Sequence, residues 1–329
     1  MTGKKISFVT HPDYEKHFST YNHPESPERT RKVAKLAEDS RLGIHMELVY
    51  PHPAEIDAAM LVHPRRYLEK LRNACVNGNY WFDYEDTFIN KFSYDVALLS
   101  AGGAIEAVRR VLSDTSDRAF CSIRPPGHHA SREQGMGFCL INNVAIAAQY
   151  AQKRCGVGKV LIFDWDVHHG NGTQSIFEED PSVYYISIHE HPTFIFPGTG
   201  RRWEAGTGRG RGYTMNIPLP PGAGDKEYIQ SVENHVIPVI KSFDPELILI
   251  SAGFDAHRDD LLSDMNVTAK GFGKMTAMMM KASVEYSTGK VVSVLEGGYN
   301  LEALDESVRA HLEEMIFCAK EEKCLYGEE

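Results

Sequence analysis

Short runs of apolar, mostly β-branched residues recur along the chain, and longer stretches with helical spacing follow most of them. In several runs, such as VLIF at 160–163 and LILI at 247–250, every residue is apolar rather than every second one. A strand of this kind is buried on both faces, which is typical of a parallel sheet covered by helices. Eight runs are predicted to be strands: 6–10, 46–50, 119–124, 160–166, 183–190, 213–219, 247–255 and 291–298.

The longer stretches carry apolar residues three and four positions apart, which is the spacing of an amphipathic helix. Five of them are predicted to be helices: 93–113, 142–154, 226–243, 270–287 and 301–318. The methionine-rich stretch within 270–287 is predicted to face the core. Because strands and helices alternate with short connections, the predicted fold class is α/β. We expect a single domain over residues 1–329, with three α/β/α layers around a central, mostly parallel sheet.

Acidic and imidazole side chains follow two of the predicted strands at their carboxyl ends, where α/β sheets place their sites. The run 160–166 leads into FDWDVHHGNGTQ, in which Asp164, Asp166 and His168 are two residues apart. That spacing on an extended chain sends side chains to one face, so Asp166 and His168 are expected to converge on one cation. The run 247–255 ends in SAGFD, and Asp255 on a neighbouring strand would join them. Three protein ligands with one open position predict a catalytic zinc site, for which iron(II) and cobalt(II) are alternatives.

Two further strand ends carry polar motifs. The run 119–124 leads into RPPGHHA, whose Pro-Pro-Gly loop presents His128 and His129 together. Adjacent imidazoles beside a metal can divide the acid and base roles. The run 291–298 ends in LEGG and is followed by Tyr299, whose phenol could donate a hydrogen bond to a developing oxyanion.

Charge narrows the range of partners. The chain has 35 Lys and Arg against 45 Asp and Glu, a formal net charge of −10 at pH 7. An acidic protein without a long basic run is a poor candidate for binding duplex nucleic acid or an anionic membrane, so neither is expected as a direct partner. A neutral or cationic substrate suits this charge better. No stretch reaches the roughly 18 apolar residues that a membrane span requires.

The N-terminus and the cysteines predict a cytoplasmic protein. The first residues, MTGKKISFVTHPDYEKHF, contain no apolar segment of the kind found in secretory signals. The six cysteines are scattered without a Cys-x-x-Cys pair, which fits neither a disulfide framework nor a zinc ribbon. All six are therefore expected to be free thiols.

Together these motifs resemble those of the histone deacetylase and acetylpolyamine amidohydrolase superfamily, within the arginase–deacetylase fold. The resemblance extends from HPESPER at 23–29 to LEGGYN at 295–300 and is closest in RPPGHHA, DWDVHHGNGTQ and SAGFDAH. The residues of these motifs are similar to those of class II members and their bacterial relatives. The resemblance implies one α/β domain with an eight-stranded parallel sheet, in agreement with the eight apolar runs.

The resemblance also implies roles for particular residues. The metal ligands fall on Asp166, His168 and Asp255. The tandem histidines fall on His128 and His129, and the oxyanion tyrosine on Tyr299. Asp164 matches the buried carboxylate that pairs with the first histidine. Asn171 stands where some family members have an aspartate paired with the second histidine, which leaves the charge state of His129 open.

A substrate channel and structural potassium are further implications of the resemblance. Gly137 and Phe138 of the GFC motif, with Phe196 of FPGTG, match the walls of an acyl-lysine channel, and Leu262 matches a position at its mouth. One potassium site would use the side chains of Asp164 and Ser187 and the carbonyls of Asp166, His168 and Ile188. A second would use four carbonyl groups, those of Phe177, Asp180, Val183 and Tyr213.

The expected reaction is hydrolysis of an acetamide to a free amine and acetate by a metal-activated water. His129 is expected to act as the base, His129 or His128 to protonate the leaving amine, and Tyr299 to stabilise the oxyanion. Acetyl-lysine in proteins or peptides is the favoured substrate, and an acetylpolyamine is the alternative. Leu262 brings no carboxylate to the mouth for a distant ammonium, and the acidic segment Asp83, Glu85 and Asp86 is the alternative source of one.

Two other classes compete with this interpretation. An arginase-like ureohydrolase of the same fold would need a two-metal cluster, and the strand ends supply ligands for one metal only. A catalytically silent acetyl-lysine-binding protein would not need the complete set of implied catalytic residues. The physiological substrate, the acyl-chain preference, the native metal and the oligomeric state are left open by the sequence.

Overall fold

The computed structural model describes residues 5–318, and the structural statements below refer to that part of the chain. Its strands are β1 (Ile6–Val9), β2 (Met46–Val49), β3 (Trp81–Phe82), β4 (Tyr84–Phe88), β5 (Arg118–Cys121), β6 (Val160–Asp164), β7 (Val183–Glu190), β8 (Thr214–Leu219), β9 (Leu247–Ala252) and β10 (Val291–Leu295). Eight of them form one parallel sheet in the order β2-β1-β5-β10-β9-β6-β7-β8, while β3 and β4 form a separate antiparallel hairpin. The predicted fold class is confirmed.

Helices cover both faces of the sheet. They are α1 (Pro27–Ala34), α2 (Ile56–Ala59), α3 (Arg65–Val76), α4 (Ser93–Leu112), α5 (Asn143–Cys155), α6 (Asn171–Phe177), α7 (Asp225–Ser231), α8 (Ile237–Phe243), α9 (Ala269–Tyr286) and α10 (Leu301–Phe317). On one face α4 and α5 pack together, and on the other α9 packs against α10.

The continuous apolar runs are explained by two cores, one on each face of the sheet. In β6, Val160 and Ile162 belong to the core beneath α4 and α5, whereas Leu161 and Phe163 belong to the core beneath α9 and α10. All four side chains are fully buried. Because successive residues of a strand point to opposite faces, a strand between two helical layers is apolar at every position.

Four of the predicted strands end two or three residues earlier than the sequence suggested. Runs predicted to reach 124, 166, 255 and 298 end at Cys121, Asp164, Ala252 and Leu295. Beyond β6, backbone N–H groups turn from the neighbouring strand to side chains: Asp166 N–H donates to Asp164 Oδ1 at 3.2 Å, and Val167 N–H donates to Asp255 Oδ1 at 2.9 Å. The backbone pairing between strands ends here because carboxylate oxygens accept these N–H groups in place of the carbonyl groups of a neighbouring strand. Asp166 and Asp255 therefore lie in loops rather than in strands.

The helix predicted at 226–243 is interrupted. A π-helical turn at Val232–Val236 separates α7 from α8, next to Pro238. Proline lacks the N–H that would continue the α-helical pattern, and a wider turn is a usual local response. Helices α1, α2, α3 and α6 and the β3–β4 hairpin were not predicted. All are short except α3, whose apolar stripe was overlooked in the sequence.

Two expectations concerning the whole chain can be compared with the structure. Over residues 5–318, no helix is both long enough and apolar enough to cross a membrane. Cys75, Cys121, Cys139 and Cys155 are free thiols, as expected. Cys318 takes part in a disulfide bond, so the expectation of a free thiol is wrong at that position, and Cys324 lies outside the described residues.

Candidate active site

The loops that follow four adjacent strands meet at the carboxyl edge of the sheet. They lead from β5, β10, β9 and β6, which are neighbours in that order. Strand β9 pairs with β6 in the register Asp164↔Ser251 and with β10 in the register Leu295↔Ala252. This adjacency brings Asp255, after β9, beside Asp166 and His168, after β6.

Three of the predicted side chains form a tight buried group. His168 Nδ1 lies 3.1 Å from Asp166 Oδ1 and 3.1 Å from Asp255 Oδ2. Ligand atoms of the three residues all lie within 4.8 Å of one another, and all three residues are buried. Each carboxylate directs one oxygen toward the imidazole and holds the other on a backbone N–H. Asp166 Oδ2 accepts from Gly297 at 2.8 Å, and Asp255 Oδ1 accepts from Val167.

Glycine is required where the backbone closes over these carboxylates. A Cβ atom at Gly297 would overlap the carboxylates of Asp255 and Asp166, and one at Gly253 would overlap Asp166. Gly298 has a φ of 116°, a conformation that other residues rarely adopt. The double glycine was singled out in the sequence for its backbone freedom. The structure adds that Gly297 leaves room for two carboxylates.

The donor set fits a divalent metal ion. Two carboxylates are buried side by side, and burial together with the charge of Asp166 raises the pKa of Asp255 to about 7. Burial alone would lower the pKa of His168, but hydrogen bonds to Asp166 and Asp255 outweigh it and raise that pKa to about 10. Two carboxylates buried this close together repel each other, so the group of Asp166, His168 and Asp255 needs a positive charge between its side chains. The separations of 3.1 Å are close to the roughly 3.3 Å expected between ligands of a tetrahedral ion.

The two tandem histidines have different electrostatic environments. His128 Nδ1 lies 3.1 Å from Asp164 Oδ2, which also accepts the Tyr185 hydroxyl at 3.0 Å. Burial would lower the pKa of His128, but the carboxylates of Asp166 and Asp164 outweigh it and raise the pKa to about 10. By contrast, burial and the neighbouring His128 and His168 lower the pKa of His129 well below its ordinary value. These environments favour the charged form of the first ring and the neutral form of the second.

Asn171 fixes the tautomer of His129. Its Oδ1 lies 2.7 Å from His129 Nδ1, and its Nδ2 donates to the Met136 sulfur at 3.2 Å. An amide oxygen only accepts, so Nδ1 of His129 carries the proton and Nε2 keeps a free lone pair. The replacement of a charged partner by Asn171 therefore leaves a neutral imidazole that can accept a proton.

Tyr299 is held from both sides. Its backbone N–H donates to Asp260 Oδ2 at 2.6 Å, and the Arg29 guanidinium lies 4.9 Å from the centre of its ring. The ring meets Phe138 edge-on at 5.7 Å between centroids. Burial raises the pKa of Tyr299 well above its ordinary value, so the phenol remains a hydrogen-bond donor at neutral pH.

A buried charge network that sequence reasoning missed supports this loop. Arg29 donates to the carbonyl groups of Gly298, at 2.7 Å, and Glu296. Glu25 pairs with Arg29 at 3.3 Å and with Arg124 at 2.6 Å, and the side chains of all three are fully buried. Glu25 and Arg29 belong to the HPESPER segment, for which no role was predicted from the sequence.

Glu296, in the loop after β10, forms hydrogen bonds to the loop after β5. Its Oε2 accepts from the N–H of Gly127 at 2.6 Å and of His128 at 3.2 Å. Ligand atoms of Glu296, His128 and Cys139 form a second buried group that could hold a metal ion by proximity alone. Both N–H bonds go to Oε2, and Oε1 accepts from the Ser251 hydroxyl at 3.4 Å, so we assign Glu296 to positioning the tandem-histidine loop.

A cavity of about 370 Å³ leads to this group. All four predicted channel residues line it: Gly137, Phe138, Phe196 and Leu262. His129, His168 and Tyr299 also line it, whereas His128 does not. Phe194, Ile195 and Asp86 were not predicted as channel residues. The FIF sequence at 194–196, which follows the end of β7 after three intervening residues, was the available signal for the first two, and Asp86 belongs to the acidic segment already noted.

Two of the predicted potassium ligands are neighbours in the sheet. Asp164 pairs in register with Ser187, whose Oγ lies 2.7 Å from His189 Nδ1. In the second set, the carbonyls of Phe177 and Asp180 accept backbone N–H groups at 2.9 and 3.3 Å, and that of Tyr213 accepts one at 2.9 Å. Both potassium sites stay predictions.

Fold and site together define a class, that of α/β enzymes with a candidate metal centre at the carboxyl edge of a parallel sheet. Comparison with known proteins makes the assignment specific, because a model of the histone deacetylase domain matches residues 23–315. The chain is 41% identical over 296 residues to a probable deacetylase of Archaeoglobus fulgidus, covering 89% of this chain and 81% of the relative. It is 40% identical over 278 residues to a histone deacetylase-like amidohydrolase of Pseudomonas aeruginosa, covering 84% and 73%.

A solved structure agrees with these relatives. The crystal structure of the HDA15 HD domain superimposes with a TM-score of 0.90 at 36% identity, covering 95% of this chain and 88% of that one. The chain belongs to the histone deacetylase family. It is an amidohydrolase of the deacetylase type, which excludes the silent binding protein that the sequence had left as an alternative.

Proposed function

We propose that this enzyme is a zinc-dependent deacetylase that hydrolyses the acetamide of an acetylated amine, with acetyl-lysine in a peptide or protein as its preferred substrate. One observation carries the proposal. The group Asp166, His168 and Asp255 lies with the neutral His129 and with Tyr299 around the inner end of a cavity with aromatic walls. The extent of the domain, 1–329, and its cytoplasmic location remain predictions.

Asp166, His168 and Asp255 would hold the zinc ion. When bound, zinc supplies Lewis-acid polarisation of the acetamide carbonyl and lowers the pKa of a water molecule. The backbone N–H groups of Gly297 and Val167 fix the outer oxygens of the two carboxylates, so each presents its other oxygen in one orientation. Such support around the ligands reduces the cost of ordering them.

His129 performs the proton transfers in this proposal. It lines the cavity, and its Nε2 is the unprotonated nitrogen, so it accepts a proton from the attacking water. The same nitrogen then donates that proton to the leaving amine. His128 does not line the cavity and remains charged through Asp166 and Asp164, so it contributes a fixed positive charge. The Tyr299 hydroxyl donates to the oxyanion.

The shape of the cavity supports a linear acyl-amine arm as the substrate. Phe138 and Phe196 form aromatic walls, and Leu262 adds an apolar side chain. One observation favours an acetylpolyamine as the second candidate, because the carboxylate of Asp86 also lines the cavity and could attract a distant ammonium. Asp86 already accepts from Gly137 N–H at 3.2 Å and from the Thr87 hydroxyl at 2.7 Å, which reduces its availability.

The deciding experiment is a substrate panel with the purified, zinc-loaded enzyme. It should contain acetyl-lysine peptides, N-acetylputrescine and peptides with longer acyl groups, with the metal-free enzyme as the control. We expect the highest kcat/KM for an acetyl-lysine peptide and no turnover without metal. A preference for N-acetylputrescine would establish the second candidate, and full turnover after metal removal would contradict the zinc mechanism.

A further inference from the structure

Phe196 borders the inner end of the cavity and is only partly covered by other side chains. Its ring lies edge-on to the ring of His129, at 5.0 Å between centroids, and to that of His168, at 6.4 Å. Its side chain remains 39% exposed, so its position depends on the backbone that carries it. That backbone continues as FPGTGRRWE at 196–204, which we call the wall loop.

Two buried histidines form hydrogen bonds with the wall loop. His189 Nε2 lies 2.8 Å from the Gly200 carbonyl oxygen, and His169 Nδ1 lies 2.8 Å from the Thr199 hydroxyl. Gly200 has a φ of 90°, and a Cβ atom there would overlap both imidazole rings. The backbone at Gly200 therefore lies directly against the two imidazoles, in a contact that only glycine fits.

The hydrogen bonds of the wall loop close into a circuit. The Glu204 carboxylate accepts the Gly200 N–H at 3.1 Å, and Gln174 Nε2 donates to the same carboxylate at 2.9 Å. Gln174 Oε1 lies 2.8 Å from His169 Nε2. The circuit therefore runs from His169 through Gln174 and Glu204 to the wall loop. It returns to His169 through the Thr199 hydroxyl.

The orientation of the Gln174 amide is fixed within this circuit. Its Nε2 faces a carboxylate, and its Oε1 also accepts from Asn216 Nδ2 at 2.7 Å. Because an amide oxygen only accepts, the Nε2 atom of His169 carries a proton. His169 directly follows the predicted metal ligand His168 in the chain. The circuit thus connects the wall loop to the segment that supplies a ligand.

We propose that Glu204 and Gln174 are positioning residues that hold Phe196 in place, so that the inner end of the cavity accepts an acetyl group and rejects longer acyl groups. The inference rests on the proposed function and specifies its acyl-group preference. Space at this point is limited, because a Cβ atom at Gly137 would come too close to the rings of both Phe196 and His129. One methylene in an apolar pocket changes kcat/KM about 10- to 200-fold, so a small displacement of the wall would alter the preference.

The substitution Glu204→Gln keeps the shape of the side chain but breaks the circuit. One carboxylate oxygen becomes an NH2 group, which must face either the N–H groups of the wall loop or the NH2 group of Gln174. If the Gln174 amide turned over, its NH2 group would instead meet the proton on His169 Nε2. Two donors face each other in every arrangement, so at least one hydrogen bond is lost.

The double substitution Gln174→Glu/Glu204→Gln is the matched rescue, because it exchanges the two side chains at unchanged net charge. The carboxylate at position 174 would accept from His169, from Asn216 and from the amide at position 204. The oxygen of that amide would accept from the N–H groups of the wall loop. Every donor again faces an acceptor, so the exchange should restore the wild-type position of Phe196.

The measurement is the ratio of kcat/KM for two peptides of one sequence, one with acetyl-lysine and one with butyryl-lysine. This ratio does not depend on the fraction of the sample that is folded, so a purely structural role would leave it unchanged. We expect the wild-type enzyme to prefer acetyl-lysine at least about tenfold. Glu204→Gln should reduce the ratio at least about threefold, and the double substitution should return it to the wild-type value.

Glu246→Gln is the control at the amino edge of the sheet. Like Glu204, Glu246 accepts two backbone N–H groups, those of Gly158 at 3.0 Å and Lys159 at 3.2 Å, directly before β6. Its substitution should leave the ratio unchanged.

Phe196→Ala tests whether the circuit acts through the wall. This substitution should reduce the ratio by itself, and adding Glu204→Gln should reduce it no further, because the side chain that the circuit positions is then absent. Should Glu204→Gln fail to fold, Thr199→Val and Thr199→Ser make the same comparison. Thr199 is exposed, and only the valine substitution removes the hydroxyl, so only that variant should have a reduced ratio.

The outcomes separate this inference from the proposed function. No hydrolysis of the acetyl-lysine peptide by the zinc-loaded wild type would contradict the proposed function itself. If that peptide is hydrolysed, three results would overturn only the inference: a wild type without preference for acetyl-lysine, a ratio unchanged by Glu204→Gln, or a reduced ratio that the double substitution does not restore. Full additivity of Glu204→Gln and Phe196→Ala would also overturn it.

Discussion

The floor and the rim of the cavity are built in opposite ways. At the floor, Asp166, His168 and Asp255 are buried, and each carboxylate is held by a backbone N–H. At the rim, the lining residue Phe194 is 65% exposed, and Leu261, next in sequence to the lining residue Leu262, is 68% exposed. The difference indicates that the floor determines the reaction and contributes to stability, whereas the rim affects which substrate enters and contributes little to stability.

The largest effect is expected from removing a ligand at the floor. Asp166→Ala should abolish metal binding and with it the deacetylase activity, because only one carboxylate and one imidazole would remain. Elemental analysis after purification in zinc-containing buffer would measure this. Leu261→Ala, at the rim, is the control and should keep one metal ion per chain. Retention of metal by Asp166→Ala would show that the ligand set is wrong.

The next largest effect is expected from removing a single oxygen atom at the floor, that of the Tyr299 hydroxyl. Tyr299→Phe should lower kcat by about 10²–10³-fold, the usual cost of losing one oxyanion donor, with KM nearly unchanged. The metal content should remain that of the wild type. Tyr21→Phe, at a tyrosine that is 72% exposed, is the matched control and should have no effect. Wild-type turnover by Tyr299→Phe would remove the phenol from the mechanism.

A third prediction concerns the contribution of the buried Glu25 carboxylate to the free energy of unfolding. Burial would raise the pKa of Glu25, but the Arg124 guanidinium outweighs it and lowers the pKa to about 2, from an ordinary value of 4.5. A carboxyl with a depressed folded-state pKa stabilises the fold fully above its unfolded value, and this contribution is lost as the pH falls from about 4.5 toward 2. Glu25→Gln should therefore cost about 3 kcal/mol of unfolding free energy at pH 7.

Urea unfolding at pH 7 and near pH 3 would measure this difference, which should shrink at the lower pH. The control is Glu15→Gln, at an exposed carboxylate that also pairs with an arginine, at 2.6 Å. It should cost less than about 1 kcal/mol, because solvent screens an exposed pair. Equal costs for the two substitutions would contradict the contrast between buried and exposed charges.

The smallest effect is expected at the rim. Phe194→Ala should raise KM for an acetyl-lysine peptide a few-fold while kcat stays nearly constant, because an exposed ring can contact the substrate without touching the reacting atoms. Its unfolding free energy should remain within about 0.5 kcal/mol of the wild type. A large fall in kcat would mean that the rim also positions the reacting group.

Local spacing was sufficient to predict much of this protein. Continuous apolar runs such as VLIF predict strands buried on both faces, because side chains alternate with a period of two whatever the rest of the chain does. Acidic and imidazole residues directly after such runs mark the carboxyl edge of a parallel sheet. The side chains at the floor were therefore identifiable before their distances were known. They are His128, His129, Asp166, His168, Asp255 and Tyr299.

What the tertiary structure decided depends on contacts between distant parts of the chain. The insertion of β9 between β6 and β10, which sets Asp255 beside Asp166, follows from sheet order. Arg29 binds the carbonyl of Gly298, 269 residues away, and Asp86 reaches the N–H of Gly137. Such pairings depend on how all the layers pack at once, and no short window of sequence contains that information. The sequence determined the side chains that carry the chemistry, and packing determined their distances and charge states.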